Sequence, residues 1–491
     1  MKRKVGDDLT ATYNNYIAGA WVTSHTGQVF PSTNPANTNE VLGYFQKSDG
    51  LDARSAIEAA ADAFGEWSQK SAPTRGEFLF SLIHLLEKHK EELAETITRE
   101  VGKTLREARG EVAKTITSMK QLTGEATRLT GQTVPSFDER VVGYTVREPI
   151  GVFAIIAPWN FPLGIGLWKI VPAILAGNTV VFKPASNTSL ISVKLVELLI
   201  ESGVPSGVVN LVTGPGAVIG DELANHPLVK GISFTGSSEV GLALGRAVGA
   251  RGGKIQAEMG GKNPAIILAD ADIDLAIDSI VLSGFFDNGQ RCTGTSRVLV
   301  VPEVAEEVKA KLIERAKGLK IGNGFDPDNH NGPVVDEHQL NLYLHYIQKG
   351  IEEGGVLECG GKRLVDGDLA QGYFVAPTVF TGITQEMTIA NEEIFGPVIA
   401  VIDVDSFEHA MQVANQVEFG LSSTIFTNDL QKAFQFVKGI QSGVTHVNMP
   451  STHFESQFPF GGKKISGLGP REQGESALDF YVETKTVYIR P

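Results

Sequence analysis

Cysteine is nearly absent: 491 residues hold two, Cys292 and Cys359. So few, so far apart, build no disulfide framework, and no Cys and His spacing among the 10 histidines matches a metal-ligand pattern. A reducing cytoplasm and no bound metal are expected. Positive charge is short as well. Lys and Arg number 43 against 57 Asp and Glu, a net charge of -14. Such a polyanion is a poor match for nucleic acid or an anionic membrane. Uninterrupted apolar runs are scarce. Gly151 to Gly177 comes nearest to a membrane span, but Pro158, Pro162, Pro172, Asn160 and Lys169 break it. A buried strand, a loop and a helix are expected there instead. The start, Met1 to Asp8, is basic with no apolar run behind it and does not read as a signal peptide.

What remains is an ordinary globular balance, 42% hydrophobic and 20% charged, over a length that calls for two or three domains. Up to about residue 50 there are short strand-like runs, Tyr16-Ile17-Ala18 and Trp21-Val22 among them. From Leu51 to about Arg128 apolar residues such as Leu79, Leu82, Leu85 and Leu86 recur at helix spacing, which predicts about three amphipathic helices. Then strands alternate with helical patterns. Val152 to Ile156, Thr179 to Phe182, Val208 to Val212 and Gly231 to Phe234 read as buried parallel strands. Ligands of such sheets sit beyond the strands' C-terminal ends, so the residues just after each strand are the informative ones. A second α/β unit follows from about Gly260. Arg140 to Arg147 and Tyr481 to Tyr488 alternate like isolated strands and suit a small arm that pairs with another subunit.

Several positions carry potential chemistry. Cys292 stands in Gly289-Gln290-Arg291-Cys292-Thr293, a polar setting for a nucleophile, although a lone Cys is more often a small buried hydrophobe. Glu258, before two glycines, can activate water if partly desolvated. Asn160 offers a side-chain N–H that, with the Cys292 backbone N–H, can hold an oxyanion. The turn Phe234 to Gly241 opens a helix whose free amides suit a pyrophosphate, though its spacing is not that of G-x-G-x-x-G. Lys183 and Ser186 follow the second strand with no carboxylate before Glu197, which permits a 2′-phosphate and so NADP. Cys359, in Glu358-Cys359-Gly360-Gly361, has no base near it in sequence and reads as structural.

These segments together resemble the aldehyde dehydrogenase family. The motifs are Pro158-Trp159-Asn160-Phe161-Pro162, Phe182-Lys183-Pro184-Ala185, Phe234-Thr235-Gly236-Ser237, Glu258-Met259-Gly260-Gly261-Lys262, Gly289 to Thr293, Glu392 to Pro397 and Pro459-Phe460-Gly461-Gly462. The resemblance implies an α/β fold: a Rossmann-like cofactor domain (1–128 and 149–259), an α/β catalytic domain (260–448) and a small β oligomerisation arm (129–148 and 470–491). It implies Cys292 as nucleophile, Glu258 as base, Asn160 in the oxyanion hole, and Lys169 and Glu472 supporting the base. For the cofactor it implies Trp159, Lys183, Ser186, Gly216, Gly236, Ser237, Ser238, Glu239, Val240, Gly241, Glu393 and Phe395. Most NAD-preferring members carry Glu where this chain has Ser186, a departure that favours NADP while leaving NAD open. Coenzyme A-acylating members generally lack the glutamate at 258, so hydrolysis to an acid is implied. A homodimer or homotetramer acting on a small aldehyde is expected.

The tail, Phe454 to Gly462, Gly469 to Gly474, Ala477 to Tyr481 and Lys485 to Tyr488, is similar to that of α-ketoglutaric semialdehyde dehydrogenases. That likeness implies oxidation of 2,5-dioxopentanoate to 2-oxoglutarate in sugar-acid breakdown. Arg291, Trp168 and Phe454 are the substrate candidates, with Arg291 the cation for an anionic aldehyde. The alternatives are another aldehyde (succinic semialdehyde, an aromatic one or a sugar-derived one) and a non-catalytic protein of the same fold. The last predicts decay of the chemical residues, yet Cys292, Glu258, Asn160, Glu393 and Lys183 are all present.

Overall fold

The computed structural model describes residues 11–491; the basic start considered above lies outside the described residues. Two parallel sheets dominate it. The first takes the order Gly467–Leu468, Lys254–Glu258, Val229–Thr235, Val152–Ile156, Thr179–Lys183, Val209–Leu211, Asn15–Ile17, Ala20–Val22. Its five central strands are parallel and both edges are antiparallel. Numbered along the chain, the five parallel strands lie 3-2-1-4-5, the doubly wound order. Their side chains are buried on both faces, which is why they read as unbroken apolar runs rather than alternating ones.

The order reverses between Val152–Ile156 and Val229–Thr235. The loops leaving these strands, at Pro158 to Asn160 and Gly236 to Ser238, therefore flank the crevice of the switch point. The span from Gly151 to Gly177 is a strand, a loop and the helix Pro162–Leu175, as the prolines required. Pro162 suits the first turn of a helix, where no N–H is needed. Among the described residues no helix is long and apolar enough to cross a membrane.

Four helices, not three, cover residues 50 to 124: Gly50–Gln69, Ala72–Lys88, Lys90–Val101 and Leu105–Gly124. The short break at His89 is invisible to a periodicity count, because Lys90–Val101 resumes on the same apolar spacing. Leu105–Gly124 starts with a capping box: Glu107 accepts from the Thr104 backbone N–H at 2.9 Å, and Thr104 Oγ1 accepts from the Glu107 N–H at 3.3 Å. The same Glu107 side chain reaches the loop before Cys292, where it accepts the Asp287 N–H.

The second sheet runs Val356–Cys359, Thr378–Thr381, Val398–Asp403, Thr295–Val300, Asn263–Ile267, Ser422–Phe426, Val444–Val447, parallel apart from its first strand. Glu258 ends the last parallel strand of the first sheet and Asn263 begins a central strand of the second. The four residues between them join the two sheets.

A third, antiparallel sheet pairs Val482–Ile489 with Val142–Pro149, and Thr133–Val134 with the latter. The two strands that looked isolated in sequence are thus each other's partners. Phe137, Val134, Val142, Tyr488 and Ile489 around this sheet are exposed. The segment before its last strand packs elsewhere: Phe480 and Tyr481 are buried against Phe153 of the first sheet.

Candidate active site

Cys292 lies in the turn between the helix Ile273–Gly284 and the strand Thr295–Val300. Three residues before that turn, Asp287, Asn288 and Gly289, take left-handed backbone angles, with φ of 51°, 54° and 63°. Two of them are not glycine, so neighbours must hold them there. The Asp287 N–H donates to Glu107 Oε1 at 2.7 Å, and Asn288 Nδ2 donates to the Gly332 and Pro333 carbonyls at 2.9 and 2.8 Å. Beyond the turn, Asn263 Nδ2 donates to the carbonyls of Cys292, at 2.7 Å, and Gly294, at 2.9 Å. The nucleophile loop is pinned from the first helical layer on one side and the second sheet on the other.

Burial pushes the Cys292 thiol up to about 12, and the carboxylates of Glu393 and Glu258 add to the rise. A resting thiol in this setting is protonated. The same two carboxylates define the site around it. Asn160 is buried, and its Nδ2 donates to the Gln290 carbonyl at 3.0 Å, two residues before Cys292. This bond ties the amide to the loop that carries Cys292 and occupies one of its two N–H groups.

Glu258 is buried and accepts from the Gly462 N–H at 3.0 Å. Gly461, with φ of 152°, is needed here: a Cβ on it would overlap Glu258 Oε1. Burial raises the Glu258 carboxyl well above its usual range, the Glu472 charge adds to this, and Lys169, the Gly462 N–H and Arg471 oppose it. Lys169, fully buried, donates to Ser233 Oγ at 3.1 Å, to the Phe234 carbonyl at 3.2 Å and to the Glu472 carboxylate. The structure thus brings Glu258, Lys169 and Glu472 together from three distant segments.

At the crevice, Lys183 is the last residue of its strand and is buried, not solvated. Its ammonium makes one hydrogen bond, to the Pro184 carbonyl at 2.9 Å, and burial pushes it down to about 8. An amine with donors to spare beside the exposed Gly216 fits an incoming anion. Ser186 Oγ donates to the Gly214 carbonyl at 3.0 Å. Ser237 caps the helix Ser238–Ala250, and its Oγ accepts the Val240 N–H at 3.4 Å. The N–H groups of Ser238 and Glu239 belong to the same first turn, ahead of the buried Gly241.

Glu393 accepts from the Gly261 N–H at 2.8 Å, and a Cβ on Gly260 would overlap its carboxylate. Burial raises it to about 7, against the Gly261 N–H and the Lys262 charge. Phe395, at φ of 55°, meets the edge of Trp159 at 5.4 Å. The donors, the carboxylate and the aromatic pair suit a dinucleotide laid from Lys183 across the switch point to Glu393.

Of the substrate candidates, Trp168 packs edge-on against Phe454 at 5.2 Å and near Phe460 at 6.1 Å. Phe286, six residues before Cys292, packs with His330 and Arg106. Arg291 turns back to pair with the buried carboxylate of Asp287. Sequence reasoning passed over Asp287, Glu107, Glu111 and Lys114. Glu107, Glu111 and Lys114 recur at i, i+4, i+7, a polar stripe on one helix face, and that spacing was the available signal. Cys359 is half-buried at the edge of the second sheet.

Comparison with known proteins bears on the whole chain. The model of the aldehyde dehydrogenase family matches residues 21–487. The chain is 45% identical to an alpha-ketoglutaric semialdehyde dehydrogenase of Bacillus subtilis, over 98% of each protein. It is 40% identical to a 2,5-dioxopentanoate dehydrogenase of Saccharolobus solfataricus, over 96% of this chain and 98% of that one. A betaine aldehyde dehydrogenase of Staphylococcus aureus, solved in complex with NAD+, superposes with a TM-score of 0.95 at 36% identity, covering 97% of this chain and 95% of that chain.

Proposed function

The chain belongs to the aldehyde dehydrogenase family, and from that premise we propose that it oxidises 2,5-dioxopentanoate to 2-oxoglutarate with NADP, through a thioester on Cys292. The observation that carries the chemistry is the placement of one thiol within the field of two buried carboxylates, Glu258 and Glu393. The substrate rests on relatives that bear the name of this aldehyde and align over nearly the whole chain.

In this reading Lys183 and Ser186 hold the adenosine ribose and its 2′-phosphate. The Gly236 to Gly241 turn, with Gly216 opposite, meets the pyrophosphate. Glu393 holds the nicotinamide ribose, and Trp159 and Phe395 pack near the ring. A bound oxidised nicotinamide supplies the acceptor for the hydride.

The Cys292 thiol releases its proton to solvent, and the sulfur attacks the aldehyde carbon to form a hemithioacetal anion. Asn160 leaves the Gln290 carbonyl and, with the Cys292 backbone N–H, donates to the new oxyanion. Loss of hydride from that carbon leaves a thioester. Glu258 takes a proton from water, whose oxygen attacks the thioester carbon. The acid departs and the thiol is restored. Lys169 and Glu472 hold the base and give its proton a buried path away from the site. The exposed arm sheet serves assembly into a homodimer or homotetramer.

A panel of aldehydes compared by kcat/KM with each cofactor tests the reading. The expected result is 2,5-dioxopentanoate among the best substrates, with NADP favoured. A better turnover of betaine aldehyde or an aromatic aldehyde would overturn the substrate.

A further inference from the structure

Three cations gather around the nucleophile loop, and two of them already have carboxylate partners. Lys103 binds Glu111 at 2.8 Å, and Arg291 pairs with Asp287. Lys114, on the helix Leu105–Gly124, forms no ion pair among the described residues. It is half-buried, donates to the Phe454 carbonyl and sits 3.9 Å from the centre of the Phe454 ring. Phe454 packs against Trp168 at 5.2 Å and Phe460 at 5.8 Å, so the ammonium is set into an aromatic wall.

An ammonium has three N–H donors, and one is used on the Phe454 carbonyl. Burial lowers the Lys114 pKa, the nearby Arg291 charge lowers it further, and the exposed Glu455 opposes both without bonding to it. Arg291 is already paired with Asp287, which leaves Lys114 as the cation with N–H donors for an incoming anion. The Phe454 face, with Trp168 and Phe460 behind it, partly covers the ammonium and strengthens its attraction for an anion.

We propose that Lys114, with Arg291 behind it, receives the carboxylate at the far end of the substrate and sets the preference for aldehydes that end in an acid group. The inference rests on the substrate class proposed above. Trp168 stands on the helix that begins at Pro162, just past Asn160, and Arg291 adjoins Cys292, so wall and cations flank the reacting centre. A quaternary ammonium tail would meet the Lys114 charge against the same rings. Recognition of an anion is the reading that satisfies the spare donors of Lys114.

The test compares kcat/KM for 2,5-dioxopentanoate with that for pentanal, a neutral aldehyde of the same chain length, in the full enzyme and in the variants Lys114→Met, Lys114→Gln and Lys114→Arg. The ratio of the two constants should fall at least tenfold in Lys114→Met and Lys114→Gln, mainly through KM for the acid. Lys114→Arg should recover most of it. An unchanged ratio in both neutral variants, with the wild type still preferring the acid, overturns the clamp alone. A wild type that turns over both aldehydes equally overturns the substrate reading and the clamp together.

Discussion

Lys169 and Glu472 form a buried ion pair behind Glu258, joining a helix of the first sheet to a segment more than three hundred residues away. The pair does two things at once. It compensates a lysine with no access to water, and it sets the field felt by the base, since Glu472 raises the Glu258 carboxyl and Lys169 lowers it.

Splitting the pair should therefore move the base. Glu472→Gln removes the like charge, so the acid limb of the kcat–pH profile should shift to lower pH. Lys169→Met should shift it to higher pH. Glu472→Gln also leaves a buried ammonium without its partner, which costs about 3–5 kcal/mol. Urea unfolding would read that cost, and the double variant Lys169→Met, Glu472→Leu should recover much of it. Limbs that stay in place would separate the pair from the base.

Glu258→Gln should stop the second half of the reaction. A raised carboxyl stays protonated to higher pH, so wild-type turnover should climb as pH rises through its folded pKa. In the variant kcat should drop about 100-fold or more. Stopped-flow absorbance should show one reduced nicotinamide formed per subunit, followed by a stall. A steady rate within tenfold of the wild type would mean that another group activates the water.

Ser186→Glu should turn the cofactor site against a 2′-phosphate. A carboxylate a few ångströms from that phosphate costs about 1–3 kcal/mol at the dielectric of a partly buried site, roughly 10- to 100-fold in kcat/KM for NADP. NAD should lose far less. Equal losses with the two cofactors would remove Ser186 from the explanation of preference.

Glu393 gives a stability signature. Its folded carboxyl, at about 7, lies above the unfolded value, so the native state binds more protons between the two. The stability it contributes is complete below the unfolded pKa and is lost as pH rises through about 7. Glu393→Gln should therefore unfold at a higher temperature than the wild type at pH 8, by about 1–3 kcal/mol of stability, and show no such gain at pH 4. Its KM for the cofactor should rise. Scanning calorimetry of the unliganded protein at the two pH values checks the first, and a loss of stability at pH 8 would contradict it.

The local residues by themselves determined the parallel sheets and where their loops open. Apolar runs buried on both faces have one common solution, and it places Asn160, Lys183 and Gly236 at strand ends whatever the rest of the chain does. Cys292 was conspicuous because so few cysteines exist. The break at His89, the partnership of the two arm strands and the charge stripe of Glu107, Glu111 and Lys114 were not legible in this way. The arm pairing depends on a strand remote in sequence, the His89 break keeps the apolar spacing unbroken, and the stripe looks like any solvated helix face until its neighbours are in place. Only the tertiary structure decided that Arg291 spends its charge on Asp287 while Lys114 keeps its own, because pairing is settled by which carboxylate packing brings within reach. The same holds for the electrostatics of the site. A glutamate in a sequence has an ordinary acidity, and burial together with the Glu472 charge is what raises the Glu258 carboxyl against the pull of Lys169.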